Sequence, residues 1–221
     1  KCHIGGDAPN RVAIASPFFG SDSDAEAVVK VLIKGMAKLR VPFVTFCVPE
    51  TSPPGTARRP RLAAPKALIE ATDHQNGLPE VFILPQEDGK NARPWHAKML
   101  ELRGKRFSAL MVGSSNFTGA GMGVGGNRNA EVNLLTIVAS GTSQHDMHRM
   151  RAIWPDMTQV TDPDQAEWLS ATEAQDEDES SAPVLPAGFL PALFRAGGKR
   201  VILLRFVPDR VPDNWRIFTA G

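Results

Sequence analysis

Between Arg11 and Val48 the chain spells an apolar run, a turn, an amphipathic stripe and a second apolar run, an order that leaves few architectures open. Arg11-Val-Ala-Ile-Ala-Ser-Pro-Phe-Phe19, stopped by Pro17 and Gly20, suits a strand buried on both faces. Ser21-Asp-Ser-Asp24 offers capping side chains ahead of Ala25, Val28, Val29, Leu32, Ile33 and Met36, the 3.6-residue stripe of a helix. Phe43-Val-Thr-Phe-Cys-Val48 reads as a second strand, and the proline-rich segment 49–60 as a loop. A strand, a helix and a strand in succession imply a parallel pair.

The rest of the chain makes the expected sheet a mixed one. Pro65–Thr72 predicts a short helix and Val81–Leu84 a third strand. His96–Leu102 alternates in the strand manner, and Arg103-Gly104-Lys105 turns it into Phe107–Val112 as an antiparallel hairpin. Ala130–Val138 returns as another strand, and Ser143–Trp154 is a covering helix ended by Pro155. The expected fold is α/β, a mixed central sheet flanked by helices on both faces. Val201–Phe206 and Arg216–Phe218 are the expected strands of a β-rich segment after it.

Charge divides the chain. Residues 1–158 hold 19 basic and 14 acidic groups, net +5; residues 159–182 hold 8 acidic groups and no basic one; residues 183–221 hold 6 basic and 2 acidic, net +4. Like charges repel along the middle block, which has little apolar surface to bury, so 159–182 is expected to be a linker. Residues 1–158 are then expected to form one domain, and 183–221 the start of a truncated second one. An apolar content of 42% excludes wholesale disorder. The apolar runs fall far short of the ~20 residues of a membrane span. Cys2 and Cys47 make neither a disulfide framework nor a zinc set, which fits a reducing, cytoplasmic setting. A chain opening on Lys1 reads as a piece of a longer protein.

Four groups carry the expected chemistry. His96 and Lys98 stand two apart on one strand face, Asn116 follows the next strand, and Glu131 follows a loop that holds six glycines between Gly113 and Gly126. Imidazole can attack phosphorus or protonate a leaving oxygen near neutral pH. An ammonium and a carboxamide can bind the non-bridging oxygens, and a carboxylate can orient the imidazole. No metal or other cofactor is required.

Trp95-His-Ala-Lys98, then Gly113-Ser-Ser-Asn-Phe-Thr118, then Asn129-Ala-Glu131 resembles the HxK…GSxN…E pattern of the phospholipase D superfamily over roughly residues 9–155, and Ser16-Pro-Phe-Phe19 is similar to its opening strand. The full motif has an aspartate five residues after the lysine, where this chain has Arg103; several nuclease and tyrosyl-DNA phosphodiesterase-like members also lack it. The resemblance implies a metal-independent phosphodiesterase. His96 would be the nucleophile or general acid, Lys98 and Asn116 would grip phosphate, Ser114 would lie close by, and Glu131 would orient His96. It also implies two motif copies per active site. A chain with one copy is expected to self-associate or to meet a second half.

The expected substrate is nucleic acid, because Lys90, Arg93, Lys98, Arg103, Lys105 and Arg106 cluster around the motif against Asp88 and Glu101. Arg93, Lys105 and Arg106 are candidate substrate-binding residues, Trp95 beside His96 a candidate pocket wall, and the Arg58-Arg59-Pro-Arg61 loop a further contributor. A phospholipid hydrolase or transphosphatidylase is the alternative enzyme, and a non-catalytic nucleic-acid-binding or dimerisation module the alternative from another class. The glycine loop lacks a P-loop ending and reads as a flexible rim. His145 and His148 have a chelating spacing without a third ligand and read as a helix surface.

Overall fold

The structure is a computed structural model that describes residues 8–36, 40–51, 59–85, 95–126, 128–139, 144–169, 189–195 and 201–207. It divides into two compact units, Lys1–Glu177 and Asp178–Gly221. Among the described residues the first unit is built on a seven-stranded mixed sheet. Its strands in chain order are β1 (Arg11–Ala15), β2 (Phe43–Val48), β4 (Leu78–Ile83), β5 (Lys98–Arg103), β6 (Phe107–Gly113), β7 (Asn133–Ala139) and β8 (Thr158–Gln159). They lie side by side as β7-β6-β5-β1-β2-β4-β8. A two-stranded parallel ladder of β3 (Arg61–Leu62) and β9 (Glu167–Trp168) stands apart from that sheet.

β1, β2 and β4 run parallel, as the strand-helix-strand order predicts, and β5 joins β1 antiparallel, with Ala15 opposite Met99 and Arg11 opposite Arg103. Helix α1 (Asp22–Lys34) starts where Ser21 Oγ accepts from the Asp24 amide at 3.3 Å, one turn earlier than its apolar stripe suggests. It packs with α2 (Ala67–His74) over one sheet face, where Val12, Ile14, Val44, Phe46 and Val81 are closed under Val28, Val29 and Leu68. Each such side chain contributes about 1.5–3 kcal/mol by leaving water. The other face gathers Ala15, Cys47, Leu84, Met99 and Leu110 with Met150 of α3 (Gln144–Arg151).

The expected linker departs from the structure at its start. Thr158–Gln159 pairs with β4, and residues 163–165 form a 3₁₀ turn capped by Asp162, whose Oδ1 accepts from the Asp164 amide at 3.1 Å. Glu167–Trp168 pairs with β3. Val160, Ala166 and Trp168 reach the core, and Arg61 Nε donates to Glu167 Oε2 at 3.1 Å. Three apolar anchors and two short ladders outweigh the repulsion that the block's composition implies. The remainder, 170–182, lies outside the described residues. In the second unit β10 (Phe189–Arg195) and β11 (Val201–Phe206) form an antiparallel hairpin. The strand expected at Arg216–Phe218 lies outside the described residues.

Candidate active site

The candidate groups meet at one end of the β5–β6–β7 ladder because the register brings them level. Lys98 is opposite Gly113, and Gly113 is opposite Asn133, so Ser114 and Glu131 emerge on neighbouring strands about 4.8 Å apart. Gly113 has no room for a side chain: a Cβ there would collide with Asn133 Oδ1 and the Val132 carbonyl. His96, exposed just ahead of β5, brings Nε2 to 2.6 Å from Lys98 Nζ. An ammonium has donors only, so with Lys98 charged this contact places the imidazole lone pair on Nε2 and the proton on Nδ1. The ring of Phe18 meets the His96 ring edge-on at 6.0 Å.

Glu131 serves a different partner from the expected one. Its Oε2 accepts a short hydrogen bond from Ser114 Oγ, and Ser114 Oγ in turn accepts from the Val132 amide at 2.8 Å. Glu131 also precedes β7 instead of lying within it. The carboxylate is therefore compensated by a hydroxyl at a strand end, where it keeps partial contact with water. A bond from Glu131 to His96 would require the carboxylate to exchange partners.

Asn116 reaches this end of the sheet through a buried tether. Ser16 Oγ, 1% exposed as a residue, accepts from the Phe117 amide at 3.1 Å and donates to the Phe18 carbonyl at 2.6 Å. Phe117 then closes a T-shaped trio with Phe19 and Phe46, at 5.8 and 6.2 Å between centroids. Among the described residues Asn116 Oδ1 is buried without a hydrogen-bond partner. Ser115 and Asn133 lock the neighbouring strand end, with Asn133 Nδ2 donating to Ser115 Oγ at 2.7 Å. The first part of the glycine loop is packed, whereas Gly123, Gly125 and Gly126 have open space around them. Met122 and Val124 lean on the core, the Val124 amide donates to the Gly119 carbonyl at 2.8 Å, and Gly121 sits so close that a Cβ would lie 2.5 Å from the Asn116 carbonyl oxygen.

Several expected contributors are elsewhere. Trp95 packs toward Met99 and Leu110, the face opposite the one His96 and Lys98 share. Lys105 and Arg106 are exposed on the turn after β5, whose five residue steps put them roughly 17 Å or more from Lys98. Arg103, at the departure from the full motif, binds Glu101 bidentately at 2.7 and 2.8 Å; the Glu101 hydrogen bonds raise its already high pKa. Glu101 is 1% exposed, so this pairing compensates a carboxylate buried in an apolar strand. Arg58, Lys90 and Arg93 lie outside the described residues, and Arg61 is engaged with Glu167. Among the described residues no cluster of three or more His, Cys, Asp or Glu could hold a metal ion, and His145 and His148 are exposed. Ser16 and Phe18, quoted above only for the opening strand, and Asn133 also shape this end of the sheet; the polar Ser16 inside an apolar strand run is the signal the sequence holds.

No protein-family model matches the chain, and no curated protein matches it.

Proposed function

We propose that this chain is one half of a phospholipase D-like phosphodiesterase, with a helix-covered mixed sheet and no need of a metal, that acts on nucleic acid in the cytoplasm through a phosphohistidine. The observation that carries the reading is the 2.6 Å approach of Lys98 Nζ to His96 Nε2, at the strand end where Ser114 and Glu131 also emerge. His96 Nε2 attacks phosphorus as the bond to the leaving oxygen breaks, and that oxygen takes a proton from a second imidazole. Water then attacks phosphorus, the N–P bond breaks, and the second imidazole takes the proton back. Lys98 moves from Nε2 onto a non-bridging oxygen as substrate arrives, and Asn116 offers its amide hydrogens beside it. The net +5 of residues 1–158 supports a polyanionic substrate.

The second imidazole comes from another copy or another half. β7 supports this reading, because among the described residues it is an edge strand that leaves apolar side chains in water: Leu135 is 56% exposed and Ile137 50%. Natural edges are usually charged, short or covered. His96→Ala should lower turnover of a bis-aryl phosphodiester in excess chelator by ~10⁴-fold or more, with unchanged thermal unfolding. Equal turnover by the variant would end the assignment.

A further inference from the structure

The sheet carries a second concave feature, on the opposite face and at the opposite end from His96. A half-open cavity of about 260 Å³ lies over the starts of β1, β2 and β4, walled on one side by Arg151 and Trp154. Arg103, also in its wall, is five residues along β5 from Lys98 and points to the other face, so the two sites do not share side chains.

Its chemistry is specific. The Arg11 guanidinium lies over the Phe43 ring at 4.4 Å, which fixes its plane while leaving its N–H edge for an anion. Among the described residues neither Arg11 nor Arg151 has a carboxylate partner, although both are in the wall. Among the described residues the one acid in the wall, Glu80, accepts from Thr45 Oγ1 at 3.0 Å and keeps a second oxygen for a hydroxyl or amine donor. Phe82 and Trp154 add flat apolar surface beside these charges. Arg103 is held by Glu101, so two uncommitted guanidiniums, one carboxylate and aromatic walls remain to match a phosphate, a sugar hydroxyl and a base in turn. The volume, just below the ~300 Å³ where drug-sized pockets begin, suits one nucleotide and not an oligomer.

We infer that this cavity is a binding site for a free nucleoside monophosphate, separate from the phosphodiester site. The inference does not depend on the proposed activity. It is tested on the full chain by titrating adenosine, guanosine, cytidine and uridine monophosphates, with inorganic phosphate and the free nucleosides as separate arms, followed by calorimetry and tryptophan fluorescence. At least one nucleotide should bind roughly ten-fold or more tightly than phosphate or its nucleoside. Arg11→Ser and Arg151→Ser should each weaken that binding by a similar factor, and His96→Ala should leave it unchanged. Both arginines are solvent-exposed, and a circular-dichroism melt confirms that each variant folds. The inference is overturned if no nucleotide binds at millimolar concentration, if phosphate alone binds equally well, if the arginine variants bind normally, or if His96→Ala abolishes binding.

Discussion

The parallel and antiparallel halves of one sheet are built to different ends. β1, β2 and β4 are closed under α1 and α2, with Phe46, Val44 and Val48 all at 0% exposure. β5, β6 and β7 shade from a buried strand to an edge whose Leu134 and Leu135, on opposite faces, are both in water. Parallel strands joined by helices bring their own cover with them, whereas hairpin strands do not. The half without built-in cover is the one that presents His96, Lys98, Ser114 and Glu131. The most completely closed strands lie on one side of β1, and the candidate chemistry begins at the end of the other.

Substitutions on the two sides should separate these properties. The largest effect is the loss of turnover in His96→Ala described above, with stability intact. Next, Phe46→Ala in the parallel half should destabilise by about 3–5 kcal/mol in denaturant unfolding, because the Phe19–Phe46–Phe117 trio cannot collapse onto the gap. A loss below 1 kcal/mol would mean that this half is not the stabilising one. Arg103→Ala leaves Glu101 buried without its partner and should cost about 3 kcal/mol, at the lower end of the range because the Arg103 side chain is 40% exposed. Replacing both with leucine should recover most of that loss; failure to recover would show that the pair is not the cause.

Smaller effects sharpen the contrast. Burial pushes the Cys47 thiol from its ordinary 9.0 up to about 12. The folded chain holds a proton that the unfolded chain releases, so this stabilisation is complete below pH 9 and declines as pH rises from 9 toward 12. Cys47→Ala should flatten that part of the stability curve, and at pH 8 a thiol reagent should reach Cys47 only as fast as the chain opens. An unchanged slope in the variant would remove Cys47 as its source. Finally, Leu135→Lys on the exposed edge should alter unfolding by less than about 0.5 kcal/mol. The same variant should reduce self-association in sedimentation; an unaltered association state would detach β7 from the interface.

The local elements were largely legible. Phe43–Val48 is predicted and observed with the same bounds, and the hairpin of β5 and β6 differs by one or two residues at its ends. The opening strand stops at Ala15, short of Phe19, because Ser16 captures the backbone of Phe18 with its own hydroxyl and Pro17 has no amide to offer a ladder. β3, β8 and β9 are two residues each, too short for any periodicity to announce. The site was legible in its residues more than in its bonds. Period two places His96 and Lys98 together, but whether Glu131 meets His96 or Ser114 depends on the offset between β6 and β7, which no local pattern records. Lys105 and Arg106 are near the motif in sequence and a strand length away in space.

Short-range forces act within a few residues: the capping of α1 by Ser21, the alternation of β5 and the turn at Gly104. These the amino-acid order determined by itself. Which strand lies beside which is decided by burying whole faces at once, and that free energy belongs to no single segment. Only the folded chain, by seating β5 against β1, tied the Asn116 loop to Ser16 and left Arg11 and Arg151 around one cavity.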